Sequence, residues 1–219
     1  MAASKPRQPK ASAPSPKPIV ANEADPQSWL YLNPAGPSPS GLVFAVLRKS
    51  YAGRTNRSLE FGWRKCHVGH NIAEADVRAW SPNVERVEVI LPPDAEDSLS
   101  DPATLLARMD ACAIDREKAL LIYLTLPLGD VDRVHAGWER ARSFACRLAR
   151  DRGLASVVSL HAPGRIAAPF PLHAHCMLMA RRADATGGLA YGLYDEELIR
   201  DSGQAVIEAL WAEHLASFR

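Results

Sequence analysis

The chain is poor in the compositional signals that usually settle a protein's class. It has no net charge to speak of: Lys+Arg 26 against Asp+Glu 25 leaves +1. Whole-molecule attraction to a polyanion is thereby excluded, and any nucleic-acid contact must come from a local patch. Cysteine is scarce. Cys66, Cys112, Cys146 and Cys176 lie far apart with no Cys-x-x-Cys pair, so neither a disulfide framework nor a thiolate zinc knuckle is expected. They read as small reduced hydrophobes of a cytoplasmic protein. No apolar run approaches the ~20 residues of a membrane span, and none is placed as a signal peptide would be. Internal repeats are lacking too. At 219 residues there is room for one domain with a full core.

What is present begins with a tail. From Met1 to Gly41, prolines alternate with Lys5, Arg7, Lys10 and Lys17. Such a segment buries too little apolar surface to offset its ordering entropy, so residues 1–41 are expected to be disordered. Ser28-Trp29-Leu30-Tyr31-Leu32 is a small apolar island within it, able to dock on a domain over 42–219. Strands are expected at Leu42–Leu47, Val84–Leu91 and Ala119–Leu126, the last stopped by Pro127. Helices are expected at Ser58–Cys66, in a further turn from Asn71 to Ala79, from Pro102 behind Asp101, from Asp130 or Asp132 to Arg150, and over Asp195–Phe218 with a break near Gly203.

The chemistry concentrates later. Leu154–Leu160 is an apolar run ended by His161, and Phe170–Met179 reads as a second strand, led in by Pro171. Successive strand side chains alternate faces, so His173 and His175 point the same way. The Gly- and Pro-containing loop between the runs is too short for a helical crossover, so the two strands pair as an antiparallel hairpin. His161, His173 and His175 then share one sheet edge, a set suited to one divalent ion. Cys66 and His70 form a poorer cluster that lacks two zinc ligands. His135 and His214, on helices, read as surface residues. Together the elements predict an α+β fold, a mostly antiparallel sheet of about five strands with helices packed on it.

Leu160-His161-Ala162-Pro163-Gly164, followed by Pro171-Leu172-His173-Ala174-His175-Cys176-Met177-Leu178-Met179-Ala180-Arg181-Arg182, resembles the metal motif of MobA/MobL-type plasmid mobilisation relaxases. These belong to the HUH endonucleases, named for His-hydrophobe-His. Here Leu172 separates the proline from the first histidine, and the loop is longer. The resemblance extends to Val87–Pro92, to Tyr123-Leu124-Thr125-Leu126-Pro127 and to Ala205–His214 with Trp211. It implies a relaxase-type sheet, a Mg or Mn ion on the three histidines, single-stranded plasmid DNA as substrate, and other mobilisation proteins as partners. It also implies a tyrosine nucleophile on the helix after the first strand, a position where Arg57–Arg64 carries Trp63 instead. Tyr51 is the candidate among five tyrosines, because it comes after the first strand among Arg48, Lys49, Arg54 and Arg57. These cations, with Arg181 and Arg182, are expected to form a DNA-binding lip around the metal. The family's acidic residue also has no counterpart, Leu121 standing near its place. Three readings stay open: a nicking relaxase, a silent DNA-binding accessory protein of the same fold, and a metal-dependent phosphodiesterase that uses water.

Overall fold

The computed structural model describes residues 19–33, 36, 38–69, 80–166, 168–184 and 188–217. Its strands in chain order are β1 (Tyr31–Leu32), β2 (Val43–Leu47), β3 (Ser50–Tyr51), β4 (Arg54–Thr55), β5 (Arg86–Ile90), β6 (Leu121–Pro127), β7 (Ser156–His161), β8 (His173–Met179), β9 (Arg181–Asp184) and β10 (Gly188–Tyr194). The helices are α1 (Ser58–Cys66), α2 (Pro102–Cys112), α3 (Val134–Arg152) and α4 (Gly203–Ser217). Six strands make one sheet in the order β1-β2-β6-β8-β7-β5, and every neighbouring pair is antiparallel. The expected α+β architecture is therefore present, with a two-residue edge strand as the sixth member.

Strand periodicity sorts the core into two halves. Phe44, Val46, Ile122, Leu124, Leu126, Val158, Leu160, Cys176 and Leu178 face α3 and α4. Ala45, Leu47, Leu121, Tyr123, Val157, Met177 and Met179 face α1 and α2. By the same alternation, His173 and His175 share the α1/α2 face with Met177 and Met179.

The helix boundaries arise from local chemistry. Asp101 accepts a hydrogen bond from the Thr104 N–H and caps α2, with Pro102 in the first turn. Gly153 stops α3 in the left-handed region at φ 68°, which costs glycine little. Gly137 answers a close approach, since a Cβ there would lie 2.7 Å from Leu172 Cδ2. The first turns of α3 thus rest on the segment that leads into β8.

Some expectations need revision. Trp29 and Leu30 are buried and β1 joins the sheet, so ordered structure starts well before Leu42. Residues 1–18 of the expected tail and the expected turn over 71–79 lie outside the described residues. The segment after the histidine strand forms the β9–β10 hairpin. His214 is buried, because α4 packs on α3: its ring lies beside Trp211 and Phe144, and its Nε2 meets the Arg140 carbonyl at 3.1 Å.

At the sheet end away from the histidines, Arg181 and Glu117 form an ion pair with side chains 1% and 0% exposed, joined by the Tyr194 hydroxyl. A pair this dry is costly to break because the surviving charge stays buried. Glu117→Ala is expected to cost about 3–5 kcal/mol of stability. Urea unfolding measures it, and a loss under about 1 kcal/mol would mean that Arg181 finds another partner or water.

Candidate metal centre

The centre is made by register. His161 lies directly across from His173 and Ser159 from His175, while β6 on the other side sets Thr125 opposite His175 and Pro127 opposite His173. The ring centroids of His161, His173 and His175 are consequently 4.5–5.1 Å apart. One ligand nitrogen from each lies within 4.8 Å of the others. Tetrahedral bonds of ~2.1 Å place nitrogens ~3.4 Å apart, so small ring rotations close the set on an ion.

Each ring is also held by its second nitrogen. His161 Nε2 is 2.8 Å from the Lys65 carbonyl at the end of α1. A carbonyl only accepts, so Nε2 carries the proton and Nδ1 keeps its lone pair. His173 Nδ1 likewise donates to the Pro171 carbonyl at 2.9 Å, which frees Nε2. His175 Nδ1 lies 2.7 Å from the Tyr123 hydroxyl and 3.2 Å from Thr125 Oγ1. With Nε2 on a metal, Nδ1–H donates to the Tyr123 oxygen. Such outer contacts fix ring orientation and raise ligand basicity.

Burial favours the neutral form of His161 and His175, the form that metal binding requires. It lowers the His161 pKa to about 4, with help from His173 and Lys65, and drives that of His175 well below 6.5. Burial also brings Lys65 down to about 8. Its ammonium stands over the Phe61 and Tyr123 rings at 5.4 and 5.0 Å. Neighbouring Cys66 is pushed up to about 12 by burial, so it is a thiol in the metal-free protein. Three imidazoles leave coordination positions open, and the donor set suits a divalent ion.

The other sequence-predicted residues lie elsewhere. β2 and β8 run the same way, so the residues after either strand emerge at the far end of the sheet. The Tyr51 ring packs edge-on to Tyr31 at 5.9 Å. Tyr31 pairs with Val46, three strands across and three residues along from His175, which is roughly 17 Å. Tyr51 is therefore not beside the histidines. The expected basic lip is likewise not assembled there. Arg48 stacks on Tyr31, Lys49 pairs with Asp115, Arg54 with Glu23 and Glu60, and Arg57 with Asp110. Arg181 is buried against Glu117, and Arg182 succeeds it along β9. Trp63 is buried and stacks on His67 at 4.1 Å. His70 lies outside the described residues.

Tyr123, Thr125 and the Lys65 carbonyl were missed in the sequence. A signal existed for two of them: Tyr123-Leu124-Thr125 has the same i, i+2 spacing as His173-Ala174-His175, the spacing that puts both on one face.

No family model matches the chain. No curated protein matches it by sequence. A solved structure described as the molecular basis of vancomycin resistance transfer in Staphylococcus aureus aligns with TM-score 0.49 at 17% identity. That alignment covers 62% of this chain and 72% of the other.

Tyr123→Phe is expected to leave the fold intact and weaken divalent-ion affinity about 10–100-fold. Isothermal titration with Mn²⁺ checks this, and unchanged affinity would show that Thr125 alone orients His175. Acid should also destabilise the metal-free protein. His161 holds its proton less tightly folded, at about 4, than unfolded, at 6.5, so the unfolded chain binds more protons as pH falls through that interval. Melting of chelator-treated protein at pH 7 and pH 5 should show a lower Tm at pH 5, and His161→Gln should shrink the difference.

Proposed function

We propose that this chain is a relaxase-like protein that holds a divalent ion, Mg or Mn, on His161, His173 and His175 and cuts single-stranded DNA at a plasmid transfer origin. The observation that carries the reading is the convergence of three imidazoles, each anchored through its second nitrogen, on one sheet end. The motif Pro171-Leu172-His173-Ala174-His175 and the strand-end His161, which resemble the mobilisation relaxases, support it. A divalent ion held by these three histidines would supply positive charge to a non-bridging phosphate oxygen. The protein's part is to hold and orient: Tyr123, Pro171 and Lys65 fix the rings, and the Lys65 ammonium adds a cation on the same face.

A specific observation favours a second reading, in which water is the nucleophile. Among the described side chains, Tyr123 is the only tyrosine at the histidines, and it is 1% exposed. Burial raises its pKa, which opposes the phenolate that an attack on phosphorus needs. Tyr31 lies on β1 at the far edge of the sheet with Tyr51 packed beside it, and Tyr194 lies in the separate β9–β10 hairpin.

The test is incubation of purified protein with end-labelled transfer-origin DNA and Mn²⁺ or Mg²⁺, resolved on a denaturing gel. Cleavage is expected with wild type and lost, at least ~100-fold, with His173→Ala plus His175→Ala. A covalent protein–DNA adduct identifies a tyrosine nucleophile, and free 5′ and 3′ ends identify water. Cleavage that survives the double substitution would refute the assignment of the metal centre.

A further inference from the structure

The histidine end continues sideways over a surface with a different chemistry. One concavity of about 360 Å³ borders His161 and His173 directly and is walled by Val84, Pro163 and Phe170. Phe170 is 67% exposed, which is unusual for a large aromatic ring and leaves one face open for stacking. A second concavity, of about 590 Å³, shares Glu85 and Arg165 with the first and extends to Arg86, Arg133, His135 and Trp138. The two form one track from the metal centre, across the β7–β8 connection, to the β5 edge and the start of α3.

The second concavity is basic. Arg86, Arg133 and Arg165 outnumber Glu85 there, and all three arginines are exposed. Arg165 pairs with Glu85 at 2.9 Å but keeps a side chain 62% exposed. The Arg86 guanidinium carbon stands over the Trp138 ring at 5.0 Å from its centroid, and the residue stays exposed. Arg133 has no partner among the described residues. Among the described residues, Arg165 is the one of the three guanidiniums with an acidic partner, Glu85.

We propose that single-stranded DNA leaves the metal centre along this track, with one base stacked on Phe170 and the next phosphates on Arg86, Arg133 and Arg165. An aromatic platform leading into a cationic groove is the chemistry that binds a single strand without reading its sequence. An acidic peptide would use the arginines and have no need of the aromatic pocket, which is why DNA is preferred. The inference rests on the histidine end being the reacting end, and it replaces the far-end cations as the DNA contact.

Fluorescence anisotropy of the full chain with a labelled 12-nucleotide strand, over a range of salt concentrations with Mn²⁺ present, tests it. The combined variant Arg86→Gln, Arg133→Gln, Arg165→Gln should bind at least tenfold more weakly and flatten the log–log salt slope by about 2, since each phosphate contact contributes ~0.7 for a single strand. Phe170→Ala should weaken binding about tenfold, leave the salt slope unchanged and lose less affinity for an abasic strand. Arg48→Gln with Lys49→Gln, at the opposite end, should bind like wild type. Should the triple variant unfold, Arg133→Gln alone should lower the slope by about 0.7. A wild-type slope in the arginine variants, or a drop in the Arg48/Lys49 variant instead, overturns this track while leaving the metal reading intact. Failure of metal-loaded wild type to bind any single strand overturns both the track and the DNA part of the proposed function. Displacement by polyglutamate together with full binding by Phe170→Ala marks a generic anion surface and also overturns it.

Discussion

The site depends on the register of two antiparallel strands. With His161 opposite His173, three rings converge on the α1/α2 face. A slip of one residue would turn His173 and His175 to the face of α3 and α4, and the hydrophobic pattern of β8 would reverse with them. The register is therefore held by everything that packs on β8: Met177 and Met179 on one side, Ala174, Cys176 and Leu178 on the other. Packing and metal chemistry are specified by the same alternation, and neither can drift without the other.

That coupling explains why so much could be read from the chain. The strands, the Asp101 cap, the Gly153 stop and the histidine hairpin are local, because each is written in a short stretch of residue types. What escaped was not local. Arg181 and Arg182 come only a few residues after the histidines, yet seven strand residues carry them to the opposite end of the sheet. Tyr51 was misjudged for the same reason, since β2 runs alongside β8 and delivers its successor to the same remote end. The better neighbours, Tyr123 and Lys65, are distant in sequence and arrive through strand pairing and the return of α1. The β9–β10 hairpin was hidden by its small and glycine-rich residues, which carry little alternation.

The balanced composition conceals a polarity. Far from the histidines, cations have acidic partners: Arg181 with Glu117, both side chains dry, Arg152 with Asp195, and Arg54 with Glu60. Near them, burial suppresses charge on His161 and His175 while exposed guanidiniums collect on the adjoining surface. The buried ion pair and the three histidines lie at opposite ends of one sheet, so substitutions at one end need not be felt at the other.

The borders of that sheet have a bearing on how the molecule keeps to itself. β5 is a terminal strand, with a row of backbone donors and acceptors on its outer side that another chain could extend. It is short and carries Arg86 and Glu88, the latter tied to Arg142 at 2.8 Å, while the opposite border is only two residues long. An incoming strand would have to strip these charges of water and partners before making its first ladder bond. The arrangement disfavours edge-to-edge aggregation, so the rim that carries the arginine groove also guards the protein against polymerising through its own sheet.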